Sequence, residues 1–213
     1  MKLQANNEPV ELESICRPKN ILAKQRTSTH YVVPITGPIG EIYEFGDFVS
    51  ILAQAGEEDH VYIQLSSPGG SLETCDYLCR RMDECEAHIT VEIGLTCAFT
   101  ASAIALQADD WVIYDSSSMI IHSTSYSLGH GKESDIRSTM EYMERVNREW
   151  IERTYSGFLC EDEMYDALAY GTEIYLYADD LQERMPLFQE HRKQCKARQI
   201  EEIMRQWDQQ KVA

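Results

Sequence analysis

The sequence predicts an α/β fold built from repeated β-strand, α-helix, β-strand units. Three observations predict it. Short β-branched runs recur at residues 31–36, 61–65, 89–93, 111–114 and 119–122. Segments with apolar residues at helical spacing separate most of them, and alternating elements of this kind fold into a largely parallel sheet with right-handed crossovers. Glycine-rich turns, 37–40, 66–70 and 94, close three of the strands.

Residues 1–28 are polar and aperiodic and read as an N-terminal arm. The first strand, 31–36, stops at Gly37, Pro38 and Gly40. Residues 44–55 carry Phe45, Phe48, Val49 and Leu52 at helical spacing. Strand 61–65 runs directly into Ser66, Ser67, Pro68, Gly69 and Gly70. The helix expected over 71–84 presents Leu72, Cys75, Leu78, Cys79 and Met82 on one face. Strand 89–93 then ends at Gly94, and a helix of small residues is expected from about 98 to 108. After strands 111–114 and 119–122, residues 123–131 read as a loop. A long helix spans 133–156, with Ile136, Met140, Met143, Val146, Trp150 and Ile151 as its apolar positions. A shorter helix covers 161–169, the run 174–177 precedes a helix starting near 178, and residues 186–213 are strong helix formers. The expected organisation is therefore an arm (1–28), one domain (29–185) and a helical extension (186–213).

Composition excludes several function classes. The net charge of −17 speaks against nucleic acid as a partner, because phosphate binding needs clustered Lys and Arg. No run of about 18 apolar residues exists, so no membrane helix is expected. The first residues lack the apolar core of a signal peptide, which points to the cytoplasm. The seven cysteines, Cys16, Cys75, Cys79, Cys85, Cys97, Cys160 and Cys195, form no CxxC pattern. Cys75 and Cys79 share a helix face, and buried thiols explain them better than a metal or redox pair. Neither a metal site nor a cofactor is expected.

In sheets of this class, ligands and reacting groups gather at the carboxyl ends of strands. Three segments satisfy that condition: 66–70, 94–99 and His122. A Pro-Gly-Gly turn follows a backbone path closed to other residues and can aim amide N–H groups into a cleft, although a plain strand-to-helix turn explains it as well. A residue opening a small-residue helix sits where the helix dipole stabilises negative charge. His122 ends an apolar strand and precedes a glycine-containing polar loop, a setting that His30, His60, His88, His130 and His191 do not share.

In this order and spacing the segments resemble the ClpP-type (caseinolytic) serine peptidases and their phage-encoded relatives. The resemblance covers roughly residues 30–185. Ile35 to Ile39 looks like the family's opening strand and turn, Val61 to Gly70 like its strand and SPGG turn, and Ala101 to Leu106 like the helix behind its nucleophile. Met119 to His122 resembles its M-I-H, Gly129 to Ile136 the approach to its handle helix, and Glu173 to Ala178 the segment that carries its acid. The resemblance implies a ClpP/crotonase-like fold with a protruding handle helix. It also implies a serine that attacks the peptide carbonyl, a histidine that takes its proton and an acid that orients the histidine.

Counting four residues from Gly94 places the nucleophile at Ala98, which has no hydroxyl. The base falls at His122 and the acid at Glu173, where the family usually has aspartate. Gly69 and Phe99 are implied as the oxyanion amides and Gly70 as substrate-binding. Ser102 lies a helical turn beyond Ala98, about 6 Å along the axis, too far to replace the missing hydroxyl. Cys97 would point elsewhere on the helix. Ala98 has two explanations: a serine replaced deliberately, which the retained His122 and Glu173 favour, or a natural pseudopeptidase. The implied partners are a polypeptide substrate, further copies of the chain in one or two stacked rings, and an AAA+ unfoldase. Residues 183–185 and 186–213 and the arm depart from the family pattern. A crotonase-type acyl-CoA enzyme shares the fold, but nothing in the sequence specifies a CoA site.

Overall fold

The computed structural model describes residues 28–125, 127 and 130–212. The expected arm, apart from its last residue, Cys16 and Gly129 lie outside the described residues. Six strands form one sheet: β1 (His30–Thr36), β2 (His60–Ser67), β3 (His88–Ala98), β4 (Asp110–Ile113), β5 (Ser118–Ile121) and β6 (Ile174–Tyr177). Six α-helices accompany them: α1 (Gly46–Gln54), α2 (Leu72–Glu84), α3 (Thr100–Leu106), α4 (Glu133–Tyr155), α5 (Glu161–Ala169) and α6 (Ala178–Val212). The expected α/β class therefore holds.

The sheet order is β1-β2-β3-β5-β6. Strand β3 is long enough to serve two partners, pairing β4 through Thr90 and Asp110 at its start and β5 through Cys97 and Met119 at its end. These pairings are parallel, and among the described residues only β6 runs antiparallel, against β5. Alternation along the central strands sends Val61, Ile63, Leu65, Val91 and Ile93 into the core, each at most 1% exposed. Helix α2 buries Cys75, Leu78 and Met82 of its expected apolar face. Its first turn is capped by the Ser71 side chain, which accepts the Thr74 N–H at 3.2 Å.

Three expectations are corrected by the structure. The chain does not turn at Gly94: β3 continues to Ala98, and α3 begins only at Thr100. Gly94 serves close approach instead. A Cβ there would lie 2.8 Å from the Ser66 Cβ, next to the register irregularity between Leu65 and Ser67. The helix expected over 44–55 divides into a 3-10 turn, Ile42–Phe45, and α1. Finally, α6 runs unbroken across residue 186, so the extension continues the domain's last helix, with Pro186 inside it. In α4 the buried residues are Trp150, Ile151 and Tyr155, all in its last two turns, while Met140 is exposed. Among the described residues, no helix is long and apolar enough to cross a membrane.

Candidate active site

The carboxyl ends of β2, β3 and β5 and the start of β6 form one rim of the sheet. At the end of β2, Ser67 is fully buried, and its Oγ accepts the Gly69 N–H at 3.0 Å. Gly69 has φ +87°, a conformation that favours glycine. A Cβ at Gly69 would meet the Ala98 carbonyl oxygen at 2.6 Å, the Phe99 Cβ at 2.9 Å and the Thr100 N at 3.0 Å. The SPGG turn is thus pressed against the end of β3. At Gly70 a Cβ would lie 2.1 Å from the Ile39 carbonyl oxygen. The Gly70 N–H donates to Thr100 Oγ1 at 2.8 Å, which ties the turn to the start of α3.

Ala98 is the last residue of β3, paired with Ile120. The sharp turn from strand to helix is made by Phe99, at φ 51° and ψ −119°. This is a backbone conformation that non-glycine residues rarely adopt and that concentrates at functional sites. Surrounding contacts hold it there. The Phe99 N–H donates to the Ile120 carbonyl at 2.9 Å, and its carbonyl accepts from the Ser102 N–H at 3.0 Å and the Ser102 Oγ at 2.6 Å. The Ser102 Oγ also lies 2.7 Å from the Tyr155 hydroxyl. The Phe99 ring stacks on the His122 imidazole, with centroids 4.9 Å apart and planes 14° from parallel, and packs against Trp150 at 5.4 Å.

His122 Nδ1 is 2.8 Å from the Ser123 carbonyl oxygen, which makes Nδ1 the protonated nitrogen in that contact. In a triad the acid takes that hydrogen bond. The β5–β6 ladder ends with Ile121 opposite Ile174, so the next positions beyond it are His122 and Glu173. Glu173 thus lies just before β6, on the His122 rim. Its carboxylate accepts a short hydrogen bond from the Tyr175 hydroxyl, and that bond holds the Tyr175 pKa above its ordinary value.

The structure therefore brings together His122, Phe99, Gly69 and the end of β3, with Glu173 one ladder step from His122. The Phe99 amide, expected to hold an oxyanion, is spent on the Ile120 carbonyl. The amide beside Gly69 belongs to Thr100, the first residue of α3. Sequence counting missed this because it took Gly94 as the end of the strand. Cys97 is fully buried, and burial pushes its thiol far up. Ser102 is committed to Phe99 and Tyr155. Among the described residues, no group of three or more His, Cys, Asp or Glu side chains is arranged to hold a metal ion.

A separate cavity of about 460 Å³ lies between α2, α3, α4 and α6 and contains none of these residues. Its charged side chains are already engaged: Arg153 with Asp76 at 2.6 Å, Lys196 with Asp83 at 2.8 Å, and Arg192 with the Leu106 and Ala108 carbonyls.

Comparison with protein families gives a match to the family described as Clp protease, over residues 44–160, just over half of the chain. The matched segment includes the SPGG turn, Ala98, Phe99 and His122 and stops short of Glu173. No curated protein matches the chain.

Proposed function

Starting from a chain that belongs to the Clp protease family, a family of serine peptidases, we propose that this subunit keeps the peptidase fold and cleft but does not hydrolyse peptide bonds. It would act as a non-catalytic, polypeptide-holding member of a ring-forming assembly. One observation carries this reading: the strand-to-helix elbow, where a nucleophile would meet the base, carries Phe99, whose ring is stacked on His122.

Acyl transfer needs an attacking oxygen or sulfur, a base within hydrogen-bond reach of it, and donors aimed at the developing oxyanion. His122 supplies an imidazole whose Nε2 is left over once Nδ1 is bound to Ser123. In this reading Glu173 would take Nδ1 in exchange for that carbonyl, leaving its bond to Tyr175. The Thr100 amide, beside the SPGG turn, is the donor this reading assigns to the oxyanion, because the Gly69 N–H is engaged by Ser67 Oγ; Gly70 is assigned to the bound peptide. An attacking atom is missing at both neighbouring positions, since Ala98 carries a methyl group and Phe99 a phenyl ring. Ser102 and Cys97 are held inside the core. A chain inactivated by a single serine-to-alanine change at position 98 would not be expected to have an aromatic ring packed between the base and Trp150, so a natural pseudopeptidase is favoured. ATP dependence through an AAA+ unfoldase, a closed chamber and a cytoplasmic location extend this reading along family lines.

The test uses a fluorophosphonate probe that labels activated serines, together with hydrolysis of a fluorogenic peptide. The wild-type chain is expected to be silent in both. Phe99→Ser is expected to take the label at position 99, and Ala98→Ser to stay unlabelled. Wild-type hydrolysis that His122→Ala abolishes would overturn the non-catalytic reading. Labelling of Ala98→Ser and not of Phe99→Ser would return the nucleophile position to residue 98.

A further inference from the structure

Away from the carboxyl rim, the amino-terminal ends of β1, β2 and β3 each begin with a histidine. The parallel register sets His30 opposite His60 and His60 opposite His88, so the three form one row across the sheet. The ring centroids are 5.6 Å apart for His30 and His60 and 5.5 Å apart for His60 and His88. The row crosses the junction of the edge strand β1 with the centre of the sheet. Two hydrogen bonds flank the row at Thr29. The Thr29 N–H donates to Asp59 Oδ1 at 2.7 Å, and the His60 N–H donates to the Thr29 carbonyl at 2.9 Å.

We propose that this row is an acid-sensitive latch: with neutral imidazoles it closes the start of β1 onto β2, and a proton gained by His60 loosens that edge strand.

The middle ring differs from the outer two in what surrounds it. His88 faces two carboxylates, Asp109 at 4.0 Å and Asp110 at 3.5 Å. His30 lies close enough to Asp59 to help hold that carboxyl below its usual range, behind the larger effect of the Gly56 and Thr29 amides. His60 has an imidazole on each side, the Tyr62 ring at 6.4 Å and the Thr90 hydroxyl 2.9 Å from its Nε2. Tyr62 in turn donates to Glu92. From α6, Arg192 and Gln189 face Asp109, and Gln189 donates to its carbonyl. At His60 the attraction of Asp110 for a proton is smaller than the opposing effect of burial and the two neighbouring rings. Partial burial, reinforced by His88 and His30, holds His60 below the ordinary histidine value of 6.5. The unfolded chain then binds the proton more readily than the folded one. The latch is fully closed above about pH 6.5 and weakens as pH falls below it.

Amide hydrogen exchange of the full chain at pH 7.5 and 5.5, corrected for the chemical exchange rate, tests this. In the wild type, protection of the β1 amides of Tyr31, Val33 and Ile35 is expected to fall about tenfold more than that of Val91 and Ile93 in β3. In His60→Gln the two strands are expected to lose protection in parallel. Should that variant fail to fold, His88→Gln, which removes one neighbouring ring, is expected to show an intermediate loss. Equal loss in β1 and β3 of the wild type overturns the proposal, as does an acid response of either variant equal to that of the wild type.

Discussion

Phe99 shows how one residue can set the shape of a strand-to-helix elbow. Its backbone adopts the elbow, its amide completes the β3–β5 contact, and its carbonyl is held through Ser102 and Tyr155. Burial pushes the Tyr155 phenol far up, so its hydroxyl stays protonated and donates inside the core. Tyr155→Phe removes that donor while Ser102 keeps its bond to Phe99, so the loss is expected to be about 1 kcal/mol. Urea denaturation read as the shift in midpoint at constant slope measures it. A shift of about 3 kcal/mol or more would mean that the elbow itself had collapsed. His122 could be read from the sequence because a polar residue ending an apolar strand stands out. The elbow could not, because a glycine can mark a turn or make room for a neighbouring strand. Gly94 does the second, and only the packing against Ser66 reveals it. The Tyr175–Glu173 and Ser123–His122 bonds have no sequence signature either, since both depend on where the β5–β6 ladder ends.

Helices and strands were more legible than single positions. The 133–156 and 161–169 helices and the 174–177 strand agree with α4, α5 and β6 to within a residue, because each has a clear period and a break on both sides. The apolar residues in the first part of α4 did not reveal their exposure, because a 3.6-residue stripe looks the same whether it faces a core or another chain. At this scale the join between α5 and α6 is electrostatic. Glu163 takes a two-pronged contact from Arg184, at 2.7 and 2.8 Å, and the Cys160 N–H at 3.0 Å. Arg184, chiefly, holds the Glu163 carboxyl down to about 2, from an ordinary 4.5. A lowered carboxyl stabilises the fold fully above pH 4.5 and loses that contribution as pH falls toward 2. With both side chains about a quarter exposed, the contribution is expected to be about 1 kcal/mol. Glu163→Gln should be less stable than wild type at pH 6 and should converge with it near pH 2 in denaturant titrations. A constant gap across that range would assign the effect to packing.

For the molecule as a whole, stability should reside in the sheet and its helical cover, and little of it in the last turns of α6. Ile200, Ile203, Met204 and Trp207 are all more than half exposed, so they bury little against the rest of the chain. Removing residues 200–213 is therefore expected to move Tm by less than about 2 °C, in keeping with the small effect of changes on exposed surface. A thermal melt followed by circular dichroism at fixed protein concentration checks this, and a drop of about 10 °C would show that these turns are covered in solution. The class of the fold and the rim carrying the site were readable because alternation of elements and strand ends are properties of the chain's order. The continuity of α6 through Pro186 was not, because proline normally signals a stop and the surrounding helix formers had to outweigh it.

The reversed direction of the last strand has its own consequence. A parallel strand would deliver its first residue to the far side of the sheet, so reaching His122 would cost a full crossing. Strand β6 instead starts where β5 stops, and the fifty-odd residues between them leave and come back at one doorway. That excursion, α4 and α5 included, can therefore lengthen, shorten or be remodelled for new neighbours while the ends of β5 and β6 keep their register.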